Sequence, residues 1–313
     1  MITIFTIPKP FIGLDDIHQR NAIQSWLAIR PECEIILCGS DQGVAEAAQE
    51  FGVLHIPGIP VNEFGTPYLD AAFQCAQQIA KNDLICYANT DILFFDDLMD
   101  VVSSISFDKF LLVGRRWNLG VNQMVNFQDP EERISFKEHV FNEAALNRPL
   151  GSDYFVFKKN SLGELPSFLV GRPYWDNWMI YNARSRNIPV IDCSQAIVDV
   201  HQNHDYAHVP QGIHNSWYGP EAESNDELVG KQKVFSLWDS THLIDASLNI
   251  TRASGDQYIK RKIQTLSVLK NRSGIRLKWL IIVQKMQRIV YDRRKTIPKV
   301  LLSYFVDVTS KLS

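Results

Sequence analysis

The first 115 residues alternate between two hydrophobic periods, and that alternation restricts the chain to few architectures. Apolar runs of strand length are predicted at Ile2–Ile7, Glu34–Gly39, Val53–Ile56, Leu84–Asn89 and Phe110–Val113. Stretches with helical spacing separate them, at Asp15–Ile29, Gln42–Phe51, Tyr68–Ala80 and Asp96–Ile105. In the first of these, Ile17, Ala22, Ile23, Trp26 and Leu27 share one face, and the residues around Asp15 offer a cap. Alternating strands and helices predict an α/β domain with a mainly parallel sheet covered on both faces. Right-handed crossovers then bring the carboxyl ends of the strands to one edge. Ligands of such sheets bind at that edge.

The residues expected along that edge are Thr6 and Pro8 after the first strand, and Gly39 and Asp41 after the second. The loop Asn62-Glu63-Phe64-Gly65-Thr66-Pro67 contributes Gly65 and Thr66. Asn89 and Asp91 end the fourth strand, and Arg115 and Arg116 follow the fifth. Asp91 closes the apolar run Leu84–Asn89 and has two candidate roles. It caps the next helix, or it holds a divalent cation against diphosphate oxygens. The chain contains neither G-x-G-x-x-G nor a Walker A sequence, which excludes a dinucleotide fingerprint and a P-loop.

Beyond residue 120 the pattern loosens. Gln128–Ala145 reads as partly helical, Tyr154–Phe157 as a strand, Pro173–Asn187 as a helix and Val190–Val200 as a strand. Three polar clusters stand out here. Asp153 and Tyr154 lie in Gly151-Ser152-Asp153-Tyr154-Phe155, which reads either as a turn or as a contact to sugar hydroxyls. Trp175 and Trp178 flank Asp176. The indoles suit sugar stacking or core packing, and Asp176 suits a general base or a helix cap. His201, His204 and His208 fall within eight residues with Asp205, a spacing that suits a metal ligand supported by neighbours.

The ordered set of these motifs, over roughly residues 1–205, resembles the nucleotide-sugar glycosyltransferases of the GT-A fold. Asn89-Thr90-Asp91 stands where such enzymes carry their DXD metal motif. The first acid is replaced by Asn, and the last, Asp91, keeps the metal position. Tyr174-Trp175-Asp176-Asn177-Trp178-Met179 is similar to the tryptophan–acid segment of the inverting N-acetylglucosaminyltransferase I type. The resemblance implies Mn²⁺ or Mg²⁺ on Asp91 with His201 or His204, and Asp176 as the base that deprotonates an acceptor hydroxyl. It also implies donor contacts from Thr6, Pro8, Gly39, Asp41, Gly65, Thr66, Asn89, Arg115 and Arg116. Asp153, Tyr154, Trp175 and Trp178 are implied acceptor or sugar contacts. The implied partners are a nucleotide-sugar donor and a glycan or glycolipid acceptor, with no nucleic acid.

Three other functions are weighed against this one. A sugar-phosphate nucleotidyltransferase would carry a Gly-rich basic loop after the first strand, where this chain has Pro8-Lys9-Pro10-Phe11-Ile12-Gly13. A binding protein without turnover is suggested by Asn89. A zinc hydrolase built on His201, His204 and His208 lacks the H-E-x-x-H pattern.

Charge divides the chain. The net charge is -3, yet residues 260–313 hold 14 Lys/Arg against Asp292 and Asp307, which leaves -15 on the preceding residues. The expected organisation is a GT-A-like catalytic domain over 1–209, a mobile connecting segment over 210–259 and a basic amphipathic helical tail over 260–313. An anionic membrane surface suits such a tail, and so does the acidic body of the protein. The five cysteines are scattered and form no C-x-x-C pair, as in a reduced cytoplasmic protein. No charged segment precedes an apolar one at the start, so no secretory signal is expected.

Overall fold

A computed structural model describes residues 1–204 and 217–269. The first part runs β1 (Ile2–Thr6), α1 (Gly13–Ala28), β2 (Glu34–Cys38), α2 (Val44–Phe51), β3 (Leu54–Ile56), α3 (Leu69–Ile79) and β4 (Leu84–Ala88). It continues with β5 (Ile92–Leu93), α4 (Asp97–Ser104), β6 (Leu111–Val113), β7 (Trp117–Leu119), α5 (Pro130–Glu143), β8 (Ala145–Leu146) and β9 (Tyr154–Lys158). The remainder is α6 (Trp175–Ser185), β10 (Val190–Asp192), β11 (Val200–Gln202), α7 (Pro220–Val229), β12 (His242–Ile244), β13 (Ile250–Arg252) and α8 (Asp256–Leu269).

The main sheet has nine strands in the order β13-β12-β10-β6-β9-β4-β1-β2-β3. Neighbours are parallel except where β9 lies between β4 and β6 and where β13 pairs with β12. The period of two along each strand divides the core between the two faces. Ile2, Ile4, Cys86 and Ala88 pack with Ala22, Ile23 and Trp26 of α1 on one side. Phe5, Ile85 and Tyr87 pack with Leu69, Ala72 and Phe73 of α3 and Met179 of α6 on the other.

Helix α1 departs from the expected amphipathic pattern. It starts at Gly13, and its cap position, Ile12, makes no side-chain capping bond. It also buries His18, Gln19, Asn21 and Ser25 beside its apolar residues. Gln19 is satisfied by the Lys9 backbone and Ser25 by Ala22 O of the same helix. Asn21 donates from Nδ2 to Gln202 Oε1 at 3.0 Å and accepts from Val125 N at 2.9 Å.

Three departures place the site. First, β9 enters antiparallel, with Tyr154 opposite Ala88, so its start rather than its end lies at the carboxyl edge of β4. Second, the run expected as one strand over Val190–Val200 breaks after Asp192. A turn follows in which Ser194 Oγ donates to Asp192 Oδ1 at 2.5 Å and Ile197 N to Cys193 O at 3.0 Å. Third, β11 joins a smaller sheet of order β5-β11-β7-β8, in which Val200 faces Leu93 and His201 faces Ile92.

Residues 217–259, expected as a connection, carry α7, β12 and β13, and the last two extend the main sheet. Of the basic stretch, residues 260–269 belong to α8; His208 and residues 270–313 lie outside the described residues. Arg261 on α8 meets the fully buried Asp239 at 2.6 Å and stacks over Phe235. Among the described residues no helix is long and apolar enough to cross a membrane.

Candidate metal centre and its cleft

Strand β4 ends at Ala88, and Asp91 occupies the turn into β5, where Ile92 N bonds Asn89 O. Strand β11 pairs antiparallel with β5 and so carries His201 and His204 back to that turn. Gln202, between them, locks the register. Its backbone N and its Nε2 each donate to Asp91 O at 3.2 Å, and Nε2 also donates to His18 O at 2.8 Å.

Asp91, His201 and His204 each offer a ligand atom, and these atoms lie within 4.8 Å of one another. His204 Nε2 is 3.0 Å from Asp91 Oδ2, and His201 Nε2 is 3.8 Å from the same oxygen. All three side chains are largely buried. Burial alone would raise the Asp91 pKa; the His201 imidazole, the His204 hydrogen bond and the Lys9 ammonium outweigh it and hold the carboxyl well below its usual range. Burial pushes the His201 pKa down. An ionised carboxylate and a neutral imidazole are the forms that bind a divalent metal. Asp91 Oδ1 and His201 Nδ1 are buried and, among the described residues, have no hydrogen-bond partner. Two imidazoles, one carboxylate and an unpartnered buried carboxylate oxygen fit a divalent metal ion, and Mn²⁺ suits this mixed donor set better than Mg²⁺, which prefers oxygen ligands throughout.

The cluster opens into a cleft of about 660 Å³, within the usual range for small-molecule sites. Three cationic side chains line it: Lys9, Arg116 and Arg172. The Lys9 loop is clamped by Gln19, whose Oε1 accepts from Lys9 N at 2.7 Å and whose Nε2 donates to Lys9 O at 3.0 Å. Arg172 meets Glu221 at the start of α7 at 2.5 Å, and Asn62 Nδ2 donates to the same carboxylate at 2.7 Å. The α7 entry, the 62–67 loop and Arg172 thereby form one wall.

Asn89 has a structural assignment. Its Nδ2 donates to Asp153 Oδ1 at 2.9 Å, its Oδ1 accepts from Tyr87 OH at 3.1 Å, and Arg116 Nη1 meets Asp153 Oδ2 at 2.5 Å. An acid at 89 would set two carboxylates face to face; the amide is what the antiparallel start of β9 requires. Asn89→Asp is therefore expected to destabilise the protein by about 2 kcal/mol at pH 7 by removing a hydrogen bond to a charged group. The loss should shrink near pH 4, where a protonated acid again donates. Urea midpoints at the two pH values check this, and equal midpoints for variant and parent at pH 7 would contradict it.

Of the donor contacts implied by the sequence, Pro8, Asp41, Gly65, Thr66, Asn89 and Arg116 line the cleft. Thr6 is fully buried and bonds Thr90 Oγ1 at 2.6 Å, and Gly39 is held under the sheet edge by His55 Nε2 at 2.8 Å from its carbonyl. Arg115 turns away, with Nε donating to Asn147 O at 2.6 Å. Tyr154 is fully buried against Cys193. Trp175 packs edge-on to Tyr87 and Phe155, and Trp178 to Phe168, so both indoles belong to the core rather than to a sugar platform. Lys9, Asp15, His18 and Gln19 line the cleft and were not among the expected residues. For Asp15, His18 and Gln19 the signal was a polar face on α1 within an otherwise apolar period; Lys9 lies in the loop before that helix.

Asp176 lies in the first turn of α6, whose cap position is Tyr174, so it does not cap the helix. Its Oδ2 accepts from Ser152 N at 3.1 Å, which seats it behind Asp153 and not among the residues lining the cleft. Burial, opposed by the amides of Ser152 and Asn177 and assisted by the Asp153 charge, raises its pKa to about 6.

No family model matches the sequence, and no curated protein matches it either. Solved structures with similar backbones include a mycobacterial protein, at 11% identity over 75% of this chain and 74% of that one, with a TM-score of 0.43. Another is glucosyl-3-phosphoglycerate synthase from Mycobacterium tuberculosis in complex with Mn²⁺, UDP and phosphoglyceric acid, at 15% identity, 65% and 71% coverage and a TM-score of 0.39. A third is S. aureus TarS in complex with UDP-GlcNAc, at 12% identity, 65% and 59% coverage and a TM-score of 0.43.

Proposed function

We propose that this chain is a GT-A-type glycosyltransferase that moves a sugar from a nucleoside-diphosphate donor to a glycan or glycolipid hydroxyl with inversion. The observation that carries the reading is the Asp91–His201–His204 cluster, placed at the carboxyl edge of β4 in a cleft lined by three cationic side chains. A divalent cation held by Asp91, His201 and His204 would offset the negative charge that builds on the departing diphosphate oxygens.

The protein's own groups account for the rest. Lys9, paired with Asp15 at 3.2 Å, and Arg172, paired with Glu221, stand on two sides of the cleft, where diphosphate charge would compete with those carboxylates. Arg116 is pinned by Asp153 and fixes that wall. Asp176, with a pKa near the working range of a base, is the proposed acceptor of the hydroxyl proton as the acceptor oxygen bonds the anomeric carbon and the diphosphate leaves; because it lies behind Asp153 and outside the cleft lining, the acceptor must enter past Asp153 to reach it. Its bond to Ser152 N sets the direction of its carboxylate. Phe64 lines the cleft and is exposed, as are Trp217 and Tyr218 beside the start of α7; such rings suit a saccharide face at the mouth.

Release of nucleoside diphosphate from a panel of nucleotide sugars with Mn²⁺, with and without a saccharide acceptor, tests the reading. Turnover above a protein-free control supports a transferase. Donor binding with no turnover for any acceptor would favour a non-catalytic nucleotide-sugar or glycan-binding protein of the same fold. The basic tail is proposed to dock on anionic lipid. Co-sedimentation with phosphatidylserine vesicles should fall to background when the chain is cut after Leu269, and an unchanged bound fraction would count against it.

A further inference from the structure

His18 is nearly fully buried on the second turn of α1, yet it belongs to the cleft lining. Its Nε2 lies 2.7 Å from Val121 O. A carbonyl only accepts, so Nε2 carries the proton and the neutral ring keeps a bare lone pair on Nδ1. That Nδ1 is buried and, among the described residues, bonds nothing. An unsatisfied buried acceptor costs about 1–3 kcal/mol, and α1 leaves none of the polar side chains beside it, on Gln19, Asn21 and Ser25, in that state.

The neighbourhood identifies a partner for the lone pair. The His18 ring centre is 6.4 Å from that of His204, while His201 and His204 are 5.2 Å apart. Two imidazoles on one cation, each at about 2.1 Å and near a right angle, have ring centres roughly 5 Å apart. His201 and His204 meet that spacing, and His18 stands one layer further out. His18 is also joined to the cluster through the backbone, since Gln202 Nε2 bridges His18 O and Asp91 O.

We propose that His18 is a positioning residue of the Asp91–His201–His204 centre, its Nδ1 accepting a hydrogen bond from a water or ligand hydroxyl seated against that centre. The proposal rests on the cation reading of the cluster. It extends that reading to a residue on a different element, 73 positions before Asp91 in the chain. Outer partners of this kind change metal affinity by about 10–100-fold.

Two substitutions separate the roles of the two ring nitrogens. Asn places a polar atom two bonds from Cβ, as Nδ1 is, and forfeits the reach to Val121. Gln places one three bonds from Cβ, as Nε2 is, and forfeits the Nδ1 position. Mn²⁺ alone is titrated into wild type, H18N and H18Q, with free Mn²⁺ followed by electron paramagnetic resonance, and each melting temperature is taken in EDTA. We expect H18Q to keep its metal-free melting temperature and to bind Mn²⁺ about tenfold more weakly. H18N should melt lower and keep wild-type affinity within about threefold. Wild-type affinity in H18Q overturns the proposal while leaving the cation centre intact. Wild type that binds Mn²⁺ no better than Asp91→Ala overturns both.

Discussion

Asp91→Ala should abolish cation-dependent binding of a nucleotide sugar. Loss of groups that only support a metal ligand costs about 10–100-fold in affinity, so loss of a ligand itself should cost at least that. Among the described residues the carboxylate is the only acid in the cluster, and without it two imidazoles remain. Calorimetry with a nucleotide sugar should show binding with Mn²⁺ for wild type and affinity at least 100-fold lower for the variant. The fold should persist, because the register of this corner is held by the Asp91 carbonyl through Gln202, a contact the substitution leaves in place. Unchanged affinity in a folded variant would remove Asp91 from the site.

Asp176→Asn should separate catalysis from stability. Turnover is expected to fall about 10²–10⁴-fold, the usual share of a general base, with donor affinity unchanged. Stability should move the other way. The folded pKa of Asp176 is raised from 3.8 to about 6, so the folded state binds the proton more tightly than the unfolded chain does. Its contribution is fully present below the unfolded value and is lost as the pH rises through about 6. Asp176 is half-buried by exposed area, so at pH 7.5 the ionised group opposes folding by about 1–3 kcal/mol. The amide removes that opposition and still accepts from Ser152 N. A rise in melting temperature of a few degrees at pH 7.5, absent at pH 4, is expected. Near-normal turnover in the variant would reject Asp176 as the base, and a lower melting temperature at pH 7.5 would reject its buried, protonation-sensitive setting.

The sheet was legible because its strands are short apolar runs between breakers, and β1 to β4 fall within a residue or two of expectation. Asp91 was legible for the same reason, as a polar residue that ends such a run. The histidines were legible as a cluster. What brings them to Asp91 was not: β5 and β11 are two and three residues long, too short to carry a period. The tryptophans beside Asp176 were ambiguous in principle, since an indole reads the same whether it faces a sugar or Phe168. Asn89 could be seen as a departure from an acidic motif, but its reason needs the antiparallel start of β9 and the Asp153 carboxylate. His18 was hidden because a buried polar face on α1 imitates the solvent face of an amphipathic helix.

The central claim is that the Asp91–His201–His204 corner joins a divalent cation to a nucleoside diphosphate. Thermal unfolding of the wild-type chain with a panel of nucleoside diphosphates, each in Mn²⁺ and in EDTA, tests it most directly. At least one diphosphate should raise the melting temperature in Mn²⁺ and leave it unmoved in EDTA, since a ligand stabilises only the state it binds. Equal shifts in the two buffers, or no shift with any diphosphate, would contradict the account.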